Sequence, residues 1–279
     1  MPSLLEMFPD MPVLTVLDVG AALGEEPKYD PLIKAGKARL FGFEPNVAEC
    51  EKLNQRYGAQ HRFFPHFVGD GKRNTFHETN WSLTGSLYEP NTALLAHFQN
   101  LAEVMTPVAL HMVDTVRLDD VEGLHDVDFF KIDVQGAELM IFQNGAKTMA
   151  SALAVQVEVE FVEMYKNQPL FADVDTFMRA NGYKFHTFTG FGTRTFKPIV
   201  CENNLNRGLN QYLWSDAVYV RDWQALGTFT NDQLIKSAVI LNDFYGSRDL
   251  SYLLLSELGR RTGDNVATRY LAWLRGDSN

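Results

Sequence analysis

Cysteine is nearly absent. Cys50 and Cys201 are the only two among 279 residues, far apart and outside any CxxC or Cys/His cluster, which excludes a disulfide-framed scaffold and a cysteine zinc site. An intracellular, cytoplasmic setting is expected. No stretch approaches the ~18 apolar residues of a spanning helix, and residues 1–12 lack the basic start and apolar core of a secretion signal. A soluble chain without a membrane span is expected. Positive charge is short as well: 25 Lys and Arg face 35 Asp and Glu, for a net charge of −10. Nothing here is built to displace counterions from nucleic acid or to lie on anionic lipid. A neutral or small substrate is expected instead. The G-x-G-x-x-G turn of dinucleotide folds is also missing, because Ala22 holds the place of its second glycine.

The chain is organised around Thr15-Val16-Leu17-Asp18-Val19-Gly20-Ala21-Ala22-Leu23-Gly24. Leu14 to Val19 is an apolar, β-branched run that reads as a buried strand, and the glycines after it permit a tight turn. About twenty residues on, a second apolar run from Ala38 to Phe43 stops at Glu44 and Pro45. A carboxylate at the tip of the next parallel strand sits where two hydrogen bonds grip a ribose diol. Glu25 and Glu26 follow the first turn, and two carboxylates there would repel a pyrophosphate while tolerating an ammonium. An adenosine cofactor without phosphate fits better than NAD, and S-adenosylmethionine is one.

Further on, Pro45-Asn46 opens a helix that closes at Gly58, and Arg62 to Asp70 reads as a third strand ending in a Gly69-Asp70 turn. Such alternation predicts a parallel sheet with right-handed crossovers and ligands at its carboxyl ends. Residues 71–127 break the rhythm with strands near Thr75–Glu78 and Val108–Leu118. Between them Trp81 and Tyr88 sit in a long loop, either as its private core or as substrate contacts. Val127 to Asp133 is the next core strand, with Lys131 one pleat below Asp133. Ala152 to Phe161 puts Val155, Val157 and Val159 on one face and Gln156, Glu158 and Glu160 on the other, toward the ligand mouth or toward Lys131. Tyr183–Thr189 and Gln211–Val220 are expected to pair, making the sheet mixed. From Thr230 the chain is helical, with stripes at Leu234/Ala238/Leu241/Tyr245, Leu250/Leu253/Leu254/Leu258 and Val266/Tyr270/Trp273.

DVGAALG, FGFEPN, SLYEPN, FFKIDVQGAEL with NGA, and VEVEFVEMYKNQPLF together resemble the FkbM family of S-adenosylmethionine-dependent methyltransferases over roughly residues 13–190. The resemblance implies an α/β class I methyltransferase fold, a Rossmann-like mixed sheet with helices on both faces, and O-methylation of a hydroxyl on a sugar or another small molecule. The family's first motif carries Asn where this chain has Ala22. Residues 1–224 are expected to form the catalytic domain and 225–279 a helical appendage, with a homodimer through those helices as an option.

The expected cofactor contacts are Asp18, Gly20, Ala21, Gly24, Glu44, Pro45, Gly69, Asp70 and Asp133. An alcohol needs a base as it attacks, and Asp133 is the first candidate, with Glu158, Glu160 and His186 as help. Glu138 is expected to fix its turn. No spacing demands a metal. An NAD-dependent oxidoreductase and a non-catalytic cofactor-binding module are the competing readings.

Overall fold

The computed structural model describes residues 3–21 and 26–276; the expectations for Ala22, Leu23, Gly24 and Glu25 lie outside them. In chain order the strands are β1 (Leu14–Val19), β2 (Ala38–Phe43), β3 (Arg62–Phe64), β4 (Phe67–Val68), β5 (Arg73–Thr79), β6 (Pro107–Val116), β7 (Phe129–Ile132), β8 (Ala154–Glu160), β9 (Tyr183–Phe188), β10 (Gly192–Thr193) and β11 (Tyr212–Arg221). The helices are α1 (Asp30–Lys34), α2 (Val47–Tyr57), α3 (Thr92–Leu95), α4 (Leu101–Val104), α5 (Glu138–Asn144), α6 (Ala146–Ser151), α7 (Phe171–Ala180), α8 (Asn231–Val239), α9 (Arg248–Thr262) and α10 (Val266–Arg275), with a π-helical turn at Ile240–Phe244 between α8 and α9.

The main sheet runs β3-β2-β1-β7-β8-β11-β9, with β10 also on β11. β1, β2, β3, β7 and β8 are parallel, and β11 is antiparallel to both neighbours. The late strand pair therefore makes the sheet mixed, as the chain's ending pattern predicts. The order reverses between β1 and β7, which opens a crevice at the carboxyl ends where the two halves diverge.

One face of the sheet is apolar along its length. Leu17, Val19, Phe130, Ile132, Val155, Val157 and Tyr219 pack there against Ile141, Phe142, Val174 and Met178 of α5 and α7. The other face changes character along each strand. Leu14, Val16, Leu40, Phe129 and Ala154 are buried under α1, α2 and α8–α10, whereas Asp18, Lys131, Gln156 and Glu158 follow toward the carboxyl ends. Burying the first set drives the helices onto the sheet; the polar set leaves the crevice hydrophilic.

Two expectations need correction. The third strand stops at Phe64, because Pro65 has no N–H for the ladder. The chain then enters a separate three-stranded sheet, β4-β6-β5. In α9, Leu253 is 41% exposed while Leu255 is fully buried. The inward stripe is Ser251, Leu254, Leu255 and Leu258, the i, i+3, i+4, i+7 set of a helix.

Candidate active site

The sheet's carboxyl ends open into a cleft of about 1350 Å³. Asp18, Gly20, Ala21, Glu44, Pro45 and Asp133 line it, together with the loop from Trp81 to Leu87. Gly20 has φ +86°, and a Cβ there would stand 2.0 Å from the Asp133 carbonyl oxygen. Only glycine lets the turn after β1 lie against the end of β7. Glu44 follows β2, where Asn46 N–H donates to its Oε1 at 2.7 Å while the Asn46 side chain caps α2. Burial raises the Glu44 pKa.

Asp18 is spent on the fold's own groups. Its Oδ2 accepts from the Tyr29 hydroxyl at 2.5 Å and its Oδ1 from Lys131 Nζ at 3.3 Å. Burial pulls the Lys131 ammonium down, but Asp18, Asp133 and Asp216 outweigh it and hold the pKa above the ordinary lysine value. Beside Lys131, Gln156 Oε1 accepts from the Tyr245 hydroxyl at 2.9 Å. Tyr245 follows the π-helical turn, a local widening that re-aims the chain.

The next row out is built on Gln135. Its φ is +61°, uncommon for a side-chain-bearing residue, and its amide nitrogen donates to Asp133 Oδ1 at 2.8 Å and Glu158 Oε2 at 2.6 Å. The Tyr165 hydroxyl, 3.0 Å from Gln135 Oε1 and 2.9 Å from the Thr84 carbonyl, fixes which way the amide points. Ser86 Oγ donates to the Gln135 carbonyl at 2.6 Å, tying the long loop to the same turn. Burial, then Asp133 and neighbouring acids, push Glu158 well above the usual carboxylate range. Glu138 accepts from Val134 N–H at 2.8 Å, the expected turn-fixing contact, and burial raises its pKa to about 7. Asp133, Glu138 and Glu158 offer oxygens within 4.8 Å of one another.

The structure thus brings Gly20, Ala21, Glu44, Pro45, Asp133 and Glu158 to one cleft, with Asp18 beneath. Among the described residues it does not bring the rest. Glu160 is 1% exposed, with Oε1 unpartnered, behind the lining. His186 sits on β9, the outermost strand beyond β11, within electrostatic reach of Asp249, and does not line the cleft. Gly69 and Asp70 left the main sheet with the break at Pro65. Asp70 instead closes the β4–β5 turn by accepting from Lys72 N–H and Asn74 Nδ2. Trp81 lines the cleft, whereas Tyr88 packs in a small core with Leu95, Phe98 and Leu213. Sequence reasoning missed Gln135, whose role depends on a left-handed backbone, and Asp216. An acid within an otherwise apolar strand was a usable signal for the latter.

The donor set fits S-adenosylmethionine. Glu26, Glu44, Glu49, Asp133 and Asp216 line the cleft and outnumber Lys28, Arg56 and Lys131, an excess of negative charge that suits a sulfonium and an ammonium and opposes a pyrophosphate. Its mixed sheet and crevice define a class I methyltransferase. The chain belongs to the FkbM methyltransferase family: residues 18–185 match the model described as the methyltransferase FkbM domain. It is an S-adenosylmethionine-dependent methyltransferase, and nothing favours the NAD reading. The chain is 32% identical over 180 residues to the 2-O-methyltransferase NoeI of Sinorhizobium fredii (strain NBRC 101917 / NGR234), covering 60% of this chain and 72% of that protein. Solved structures are more distant. A magnesium protoporphyrin IX methyltransferase (ChlM) from Synechocystis PCC 6803 with bound SAM matches at 14% identity and a TM-score of 0.38, covering 78% of this chain and 74% of that one. A SAM dependent methyltransferase from Aquifex aeolicus matches at 13% and 0.33, covering 78% and 87%. At these scores neither bears on the site.

Proposed function

We propose that the chain methylates a hydroxyl oxygen of a sugar or another small hydroxylated molecule, with Asp133 as the base. The observation that carries this is Asp133 at the tip of β7, its backbone carbonyl against the Gly20 turn and its carboxylate bridged through Gln135 to Glu158. The family membership and the 2-O-methyltransferase name of the NoeI relative support an oxygen acceptor. S-adenosylmethionine, when bound, supplies a methyl group on a positively charged sulfur.

In this reading Gly20, Ala21, Glu44 and Pro45 hold the adenosine, Glu44 by accepting from the ribose hydroxyls. Gln135 positions Asp133: Tyr165 fixes the amide, so both amide hydrogens face carboxylates. Asp133 takes the proton released by the acceptor hydroxyl. Trp81 and the Ser82–Leu87 loop wall the acceptor side. Exclusion of water by that wall strengthens each of these interactions.

The test is transfer of labelled methyl to a panel of sugars and polyols by the wild type and Asp133→Asn. A loss of about 10²–10⁴ in kcat with cofactor affinity within a few-fold is expected, the range for removing a general base. Equal losses in turnover and cofactor affinity would recast Asp133 as a cofactor ligand. No transfer to any acceptor by a protein that binds the cofactor would favour the non-catalytic module.

The remaining organisation is part of the same proposal. Residues 225–279 act as a helical extension of a catalytic domain at 1–224. Two free cysteines and the acidic charge support a cytoplasmic enzyme that does not act on nucleic acid, and no described helix is long and apolar enough to cross a membrane. The outward Tyr252 and Leu253 of α9, 38% and 41% exposed, support a homodimer through these helices, which a monomeric mass in light scattering would remove.

A further inference from the structure

We propose that Arg194 forms an oxyanion subsite in the acceptor half of the cleft, so that the methylated molecule carries a carboxylate, sulfate or phosphate group. This rests on that half of the cleft taking the acceptor, and it departs from the neutral substrate that net charge alone suggests. Arg194 follows β10 and lines the cleft beside Met164, Thr189, Trp214 and Asp216. Its guanidinium lies over the Trp214 ring, 5.2 Å from the centroid. Nη1 donates to the Thr193 carbonyl at 2.8 Å and the Asn206 carbonyl at 3.1 Å, which pins the head. The other edge is unused. Nε is buried with no hydrogen-bond partner, and among the described residues no carboxylate stands within ion-pair distance of this group.

With 35 acids against 25 bases in the chain, Arg179, Arg260, Arg261 and Arg269 each pair with a carboxylate, and Arg194 does not. Burial lowers the Arg194 pKa with no acid opposing it. A pinned guanidinium stacked on an indole leaves Nη2, which carries no hydrogen bond among the described residues, to donate to the oxygens of one oxyanion.

The test uses the wild-type protein loaded with S-adenosylhomocysteine and the intrinsic fluorescence of Trp214, identified by its loss in Trp214→Phe. D-glucuronate, glucose 6-sulfate, glucose 6-phosphate and glucose are titrated at constant ionic strength. At least one oxyanion is expected to saturate the signal about tenfold or more tighter than glucose, the scale of a charge-assisted hydrogen bond; which one does so separates a planar from a tetrahedral group. Arg194→Gln is expected to abolish the difference and Arg194→Lys to retain part of it. Equal responses to glucose and all three oxyanions in the wild type would overturn the proposal without any variant, and so would an undiminished preference in a folded Arg194→Gln. Because the readout is binding, a chain that transfers no methyl group would leave this result standing, while methylation of neutral sugars alone would leave the catalytic reading standing.

Discussion

Glu138 shows how closely the cleft crowds its acids. Burial and the nearby Asp133 raise its pKa from 4.5 to about 7. Between those values native Glu138 holds a proton that the unfolded chain has released, so the native state binds more protons and stability falls as pH rises through the window. His61 and His186 are lowered by burial and run the other way, so the informative comparison is with Glu138→Gln, which shares both. The wild type is expected to lose stability relative to the variant from pH 5 to pH 7.5, by a few kcal/mol at most. Denaturant melts across that range check it, and parallel pH profiles would contradict it. Residue types at this scale are partly legible in the sequence: Asp133, Glu44 and Glu158 stand out because strand tips face the mouth. Glu160 and His186 were not separable from them, since alternation gives a face but neither depth nor distance along the sheet.

Among elements, the decisive contact is the turn after β1 pressed against the end of β7. Gly20 combines φ +86° with a Cβ position 2.0 Å from the Asp133 carbonyl, so Gly20→Ala must strain its own backbone and displace β7 at once. A loss of about 2–4 kcal/mol is expected, in the range of special-backbone and overpacking mutations, with cofactor affinity falling alongside. Calorimetric unfolding and binding read both, and a stable variant of normal affinity would show that the turn has room. The strand–helix alternation up to Phe64 and the late antiparallel strand could be read because apolar runs and glycine or proline stops are local signals. The excursion into β4–β6 could not. Pro65 and the pairing of Phe67–Val68 with Thr115–Val116 join residues nearly fifty positions apart, and nothing in either segment names the other.

Across the whole molecule, the helices after Thr230 complete a face that the sheet cannot cover alone. Leu234, Ala238, Leu241, Leu254, Leu255 and Tyr270 share one core with Leu14, Val16 and Phe129, beneath the polar row that carries Asp18 and Lys131. Tyr245 reaches that row directly through Gln156, so this part of the chain supports the floor of the cleft. Leu255→Ala is expected to cost about 2–5 kcal/mol, as for a fully buried leucine, with the loss appearing in a single cooperative transition. An early, separate melting of the helices would show an independent unit instead.

In the proposed reading the tips of β1 and β2 grip the adenosine of S-adenosylmethionine beside Asp133. Isothermal titration of S-adenosylhomocysteine into the wild type and Glu44→Ala tests it most directly. Removing the carboxylate is expected to cost about 1–3 kcal/mol, or roughly 5- to 150-fold in affinity. Unchanged affinity would place the cofactor elsewhere and contradict it.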